Sequence, residues 1–168
     1  MVITKTFKDL KPVLMDPNSK GVKEPFFLIE GEKQVVFVVA PGLNGEEFNK
    51  TLGDFNDFPT VSVYQVALGQ GILVMQRNDE NGEAKEFKFV SLHAGRQINV
   101  PSLWAVCFVN TSKNFLVIVR NNVIDKKYLN AVPIIKKHGL VYYVIDKKGD
   151  ISFEKNPNYR VYPQITTE

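Results

Sequence analysis

The sequence predicts an all-β fold, a jelly-roll β-barrel with little helix, on three observations. Short runs rich in Val and Ile recur along the chain together with 12 Phe and 6 Tyr, residue types that favour strands. Gly, Pro, Asn and Asp cluster between these runs, as turns between short strands require. No stretch sustains the 3.6-residue period of a long amphipathic helix. About nine or ten strands in antiparallel succession need closure, or two packed sheets, to hide their edges. A barrel mouth also offers a pocket for a small ligand.

The elements follow in order. Residues 25–30 and 34–39 make the first hairpin, turning through Gly31-Glu32-Lys33. A Gly-containing connection over 41–47 leads to Phe48. After Pro59 come strands over 61–68, 72–76, 86–91, 97–101, 106–110 and 115–119. Their turns are explicit: Gly69-Gln70-Gly71, then Asn78 to Gly82, then Ala94-Gly95. A last hairpin joins 140–146 to 150–154 through Lys147-Lys148-Gly149. Only 125–137 has weak helical character, and Pro133 is expected to interrupt it.

A chain of 168 residues suits one domain, here residues 1–168, with barrel strands over about 35–120 and the hairpin 140–154 behind them. It carries no repeat and no linker. The formal net charge of +3 is spread over separate pairs such as Lys126-Lys127, Lys136-Lys137 and Lys147-Lys148. That is a solvated rim rather than a nucleic-acid stripe. The lone Cys107 excludes an intramolecular disulfide and a cysteine zinc cluster, and its apolar neighbours make it a small hydrophobe. Charges at Asp9, Lys11 and Asp16 rule out a signal peptide, and the longest apolar run, Val35 to Pro41, is far below the ~20 residues of a membrane span. The expected location is the cytoplasm, which leaves the sequons at Asn49 and Asn110 without a secretory context.

Two stretches resemble a known family. Pro41-Gly42-Leu43-Asn44-Gly45-Glu46-Glu47-Phe48, continuing through Thr51, Gly53, Asp54 and Asn56, resembles Pro-Gly-x-x-Gly-x-Glu-Phe-x-x-Thr-x-Gly-His-x-His of the cupin-type (archaeal) glucose-6-phosphate isomerases. The stretch Val63 to Gly71, with Tyr64, Gly69 and Gly71 in register, looks like that family's Glu-x-Tyr-x-x-Leu-x-Gly-x-Gly. From Gly95, the stretch Val100-Pro101-Ser102-Leu103-Trp104-Ala105-Val106 is similar to its Gly-x-x-x-x-Val-Pro-Pro-x-Trp-Ala-His-x-x-x-Asn, which ends here at Asn110. The tail Asn156-Pro157-Asn158-Tyr159 fits an Asn-Pro-x-aromatic ending. The resemblance implies a cupin barrel, a double-stranded β-helix, over roughly residues 35–159.

It also implies a divalent metal held by His, His, Glu and His. Those positions read Asp54, Asn56, Ser62 and Val106, and no register shift restores a histidine because the chain has only His93 and His138. One carboxylate, one amide and one hydroxyl make a poor cage, and Val106 has no donor. The expectation is therefore no metal, no cofactor and no catalytic residue. Thr51 and Gly53 match positions for which the resemblance implies phosphate contact, and Tyr64 matches a pocket tyrosine. Phe37 replaces a second phosphate-contacting Thr. Trp104 reads as packing.

The leading expectation is a metal-free, catalytically inactive homologue that binds a small, sugar-phosphate-like ligand through Thr51, Gly53, Asp54, Asn56 and Tyr64, or binds a partner. One alternative is an active aldose-ketose isomerase of glucose-6-phosphate isomerase type, rewired around Asp54 and Tyr64. Another is a structural subunit beside an active paralogue. The resemblance further implies a homodimer, and the apolar run from Val35 to Val39 is a candidate contact.

Overall fold

The computed structural model describes residues 1–57 and 59–168; Phe58, inside the 57–60 segment that differs from the family pattern, lies outside the described residues. The elements in chain order are β1 (Val2–Lys5), α1 (Phe7–Leu10), β2 (Phe26–Glu30), β3 (Val35–Val39), β4 (Leu43–Asn44), β5 (Glu47–Phe48) and β6 (Asp54–Asn56). There follow β7 (Ser62–Leu68), β8 (Gln70–Asn78), β9 (Ala84–His93), β10 (Gln97–Val100), β11 (Ala105–Val109) and β12 (Leu116–Arg120). The chain ends with β13 (Leu129–Asn130), α2 (Val132–Lys136), β14 (Tyr142–Lys147), β15 (Asp150–Lys155) and β16 (Ile165–Thr167).

Two six-stranded sheets face each other, one ordered β1-β2-β3-β12-β7-β10 and the other β13-β6-β11-β8-β9-β16. This is the jelly-roll barrel expected from the strand pattern. The chain crosses from the first sheet to the second between β7 and β8, where only Gly69 intervenes. Side chains have no room at this corner. A Cβ on Gly69, whose φ is +89°, would lie 2.3 Å from the Phe115 carbonyl oxygen, and one on Gly71 would lie 2.3 Å from that of Val109.

Period-two alternation then decides what fills the barrel. Phe37 of β3 and Tyr64 of β7 point in from the first sheet and meet Phe108 of β11 from the second, with ring centroids 5.2 and 5.1 Å from Phe108. Leu116 and Ile118 of β12 join them, fully buried. The barrel axis is thus packed with aromatic rings, a geometry that adds to their area burial.

A third sheet, β15-β14-β5-β4, brings the last hairpin against the barrel. Phe87 of β9 meets Tyr142 and Phe153 at centroid distances of 5.0 and 6.0 Å. Gln76 of β8, fully buried, accepts the Val141 amide at 2.8 Å and donates to the Tyr159 hydroxyl at 3.2 Å. The two sequon asparagines are fully buried as well, with Asn49 donating to the Pro25 and Ala40 carbonyls and Asn110 to that of Val39.

Two expectations need correction, and a third is refined. β16 pairs in parallel with β9, so the pairing is not wholly antiparallel. The 125–137 segment is a 3₁₀ turn, the short strand β13 and the five-residue α2, and Pro133 sits in the first turn of α2 instead of interrupting it. There its missing N–H costs nothing. Val35–Val39 is an inner strand, hydrogen-bonded to β2 on one side and β12 on the other, so any contact through this run is made by its outward-facing side chains and not by a strand edge. Among the described residues, no helix is long and apolar enough to cross a membrane.

Candidate ligand pocket

The site begins at Gly53. Its φ of +86° lets the chain pass close over β11, where a Cβ would stand 3.2 Å from the Val106 carbonyl oxygen. The backbone then enters β6, which pairs with β11 so that Asp54 lies opposite Val106. Asp54 and Asn56 share a face of β6. The Asn56 carboxamide donates to the Ser62 hydroxyl at 3.2 Å. The structure therefore brings Asp54, Asn56, Ser62 and Val106 to one end of the barrel.

Behind them stands Tyr64, almost wholly buried. Burial pushes its phenol above the ordinary range, while the adjacent Arg120 and Ser62 pull the other way. Arg120 closes the constellation from β12. It is 5% exposed, its Nε donates to the Asn122 carbonyl oxygen at 3.0 Å, and its guanidinium carbon sits 5.8 Å from the centre of the Phe37 ring. A readable signal did announce it: Leu116, Ile118 and Arg120 share the inward face of one apolar strand, so the arginine had to point inside.

Asp54 and Arg120 both face a cavity of about 440 Å³ at the barrel mouth. Its walls are mainly apolar: Leu28, Val35 and Phe37 from the first sheet, with Ile124 and Leu129 from the connection over 121–131. Lys126 on that connection reaches Glu30 on β2 at 3.3 Å, an ion pair across the rim. Among the described residues, nothing hydrogen-bonds to the Asp54 carboxylate. Burial raises its pKa from 3.8 to about 6, against the pull of Arg120. A larger groove of about 840 Å³ lies outside the barrel around Arg77, Asp79 and Lys85 and shares none of these residues.

The donor set does not fit a transition metal. At the four positions stand one carboxylate, a carboxamide whose nitrogen is committed to Ser62, that hydroxyl, and a valine. Among the described residues, no cluster of three or more His, Cys, Asp or Glu could hold an ion. His93 ends β9 on the exposed surface, and His138 follows α2 with a φ of 61°.

Thr51 and Gly53 are placed apart from this pocket. The Thr51 hydroxyl accepts the Phe108 amide at 3.0 Å and lies 3.7 Å from the Cys107 sulfur. Gly53 likewise abuts Cys107 and Ile134. Cys107 and Val106 are neighbours on β11 and face opposite ways, so Thr51 belongs to the side of the sheet away from Asp54. Trp104 packs half-buried beneath Arg77 and Lys88.

Sequence reasoning also missed a second polar cluster, on that outer side. Glu47, fully buried, pairs with Lys50 at 2.6 Å and accepts the Met15 amide at 2.9 Å. Lys50 donates to the Val13 carbonyl oxygen at 2.7 Å and lies 5.2 Å from the centre of the Tyr143 ring. The pair ties the N-terminal segment to the last hairpin.

No curated protein matches the sequence at a significant level. Among solved structures, the chain is similar to the Drosophila melanogaster CENP-C cupin domain at a TM-score of 0.46 and 9% identity, over 67% of this chain and 81% of that one. It is similar to the capsular polysaccharide assembling protein CapF from Staphylococcus aureus at a TM-score of 0.45 and 12% identity, over 64% of this chain and only 31% of that one. Oxalate oxidase in complex with a substrate analogue, glycolate, is similar at a TM-score of 0.40 and 13% identity, over 53% of this chain and 41% of that one. The model of the family described as glucose-6-phosphate isomerase (GPI) matches residues 29–161, most of the chain. The chain belongs to the glucose-6-phosphate isomerase (GPI) family.

Proposed function

We propose that this protein is a metal-free, catalytically inactive member of its family, a single cupin domain over residues 1–168, which binds a small molecule at the barrel mouth in the cytoplasm. One observation carries the reading: the cluster of Asp54, Asn56, Ser62 and Val106 supplies one anionic donor where a divalent cation needs several. Aldose-ketose isomerisation moves a proton between C1 and C2, or shifts a hydride with Lewis-acid help. Asp54 is the one carboxylate among these four positions, and a valine cannot replace a metal ligand.

The ligand touches Asp54 and Arg120, with Asn56 and Tyr64 holding the floor behind them. A sugar phosphate is the ligand implied by the family, with Thr51 and Gly53 at its phosphate. Against it stand the Thr51 hydroxyl, already bonded to the Phe108 amide, and the Phe37 ring, which lacks a donor.

A second reading is favoured by a specific feature. A carboxyl with a pKa near 6 beside a guanidinium is poised as a general base, so a rewired isomerase would use Asp54 and Tyr64. Elemental analysis and a coupled glucose 6-phosphate assay separate the two. The expected result is no stoichiometric iron, manganese, nickel or zinc, and no turnover above background with added metal. One metal per chain, or turnover abolished by Asp54→Ala, overturns the inactive reading.

The partner is a second copy of the chain, and the contact is a face instead of an edge. Ile29, Val36 and Val119 lie in one register row across β2, β3 and β12, with Phe27, Val38 and Val117 in the next. Val117 and Val119 alternate with the buried Leu116, Ile118 and Arg120, and the register places the other four on the same, outer face of the first sheet. An antiparallel sheet that faces water carries polar residues there. Covering this face by a two-fold related copy, or by an active paralogue if the chain serves as a structural subunit, removes it from water.

A further inference from the structure

We propose that the cavity over Asp54 and Arg120 takes an uncharged small molecule with an apolar body and a compact head that sets a hydrogen-bond donor beside an acceptor, a primary carboxamide being the simplest such head. The inference rests on the small-ligand reading above and names the chemistry of that ligand.

Its grounds are the walls, the floor and the rim. Leu28, Val35, Phe37, Ile124 and Leu129 offer carbon to whatever enters, and a ligand dense in hydroxyls or charge would lose its hydration against them without return. A cavity of about 440 Å³ holds a ring-sized body with its head. The floor offers two unlike groups. A carboxylate only accepts hydrogen bonds and a guanidinium only donates them. Asp54 has no hydrogen-bond donor among the described residues, and Arg120 acts on it through space without a direct ion pair. A head that bridges them must donate to one and accept from the other.

Charge narrows the choice further. Asp54 and Arg120 cancel, and around them Lys5 and Lys126 offset Glu30 and Asp125. An anionic head would meet Arg120 but be repelled by Asp54, and a cationic head would meet the reverse. A neutral donor–acceptor head satisfies both. Neither Asn56 nor Ser62 competes for it, since they are bonded to each other behind the floor.

The test uses the full chain and three probes: benzamide, benzoate and glucose 6-phosphate, followed by ligand-observed NMR at millimolar concentration. Benzamide is expected to bind wild-type protein about tenfold or more tightly than either anion, the worth of one hydrogen bond to a charged group. Asp54→Asn keeps the volume and removes the charge, so it should weaken benzamide about tenfold and strengthen benzoate. That crossing of preference is a result that a purely structural role for Asp54 would not produce. Leu129→Trp, which fills the cavity from its wall, should abolish benzamide binding. Benzoate or glucose 6-phosphate binding the wild type as tightly as benzamide overturns this inference while leaving the small-ligand reading standing. Benzamide binding that survives Leu129→Trp also overturns it. If no probe binds either protein, the small-ligand reading falls with it.

Discussion

Replacing Asp54 by asparagine removes a charge and almost no volume, which makes it a clean probe of the pocket floor. In the folded chain the carboxyl keeps its proton up to about pH 6, whereas a free aspartate releases it near 3.8. The folded state therefore binds the proton more tightly than the unfolded state. For a group shifted upward, the folded protein is favoured at low pH, and this contribution is lost as the pH rises from about 4 to about 6. Above that window the ionised, desolvated carboxylate is a constant cost. A tenfold change in proton affinity is about 1.4 kcal/mol, and about two such factors separate the two states, giving a ceiling of about 3 kcal/mol. Asp54 still touches cavity water, so we expect Asp54→Asn to stabilise the fold by roughly 1–3 kcal/mol near pH 7.5. At about 2–4 °C per kcal/mol for a chain of this size, Tm should rise by roughly 2–12 °C. Near pH 4.5 the difference should shrink to about a third of that, because the folded carboxyl is then neutral while the unfolded one is still largely ionised; it closes only near pH 3. Calorimetric scans of both proteins at the two pH values read the effect directly. A variant that melts lower near pH 7.5, or a gap that is equal at both pH values, would show that bonds hold the carboxylate and that the reasoning is wrong.

Three further outcomes are expected. Glu47→Gln leaves the buried Lys50 without its counter-charge and should cost about 3–5 kcal/mol in urea unfolding, most of it recovered by combining Glu47→Leu with Lys50→Met. Val36→Lys with Val119→Lys puts charges on the outer face of the first sheet and should turn a dimer into a monomer by sedimentation; a wild-type chain already monomeric at micromolar concentration removes the dimer reading. The four changes Asp54→His, Asn56→His, Ser62→Glu and Val106→His should create stoichiometric binding of manganese or nickel by calorimetry without turnover, because Phe37 still occupies the phosphate side; no binding would show that these positions do not converge on one point.

The long strands were legible because their alternation is written locally. β3, β7, β9, β12 and the β14–β15 hairpin lie within a few residues of the spans expected from composition and turns. β4, β5, β6 and β13 are two or three residues long, too short to display a period, and exist because neighbours pair with them. β16 depends on a partner at Phe87, 78 residues from Ile165, and nothing local marks it as parallel. The pocket divides in the same way. Asp54 and Asn56 were found from motif spacing and Tyr64 from a matching position. The Thr51 hydroxyl had been expected at a phosphate, yet its engagement is decided by Phe108, far along the chain. Arg120 was overlooked because attention went to positions that match the family, whereas its meaning lies in the strand face it shares with Ile118.

Cys107 has a practical consequence. Its sulfur is buried beside Thr51, and burial pushes the thiol up to about 11, so at neutral pH it is both unreachable and un-ionised. The native protein therefore behaves toward maleimides as though it had no cysteine at all. A single cysteine introduced at Lys126, on the rim of the cavity, would be the sole reactive thiol in the folded molecule. A fluorophore attached there would report on the cavity entrance without any prior removal of native cysteines, and labelling stoichiometry would rise from one to two only when the barrel opens.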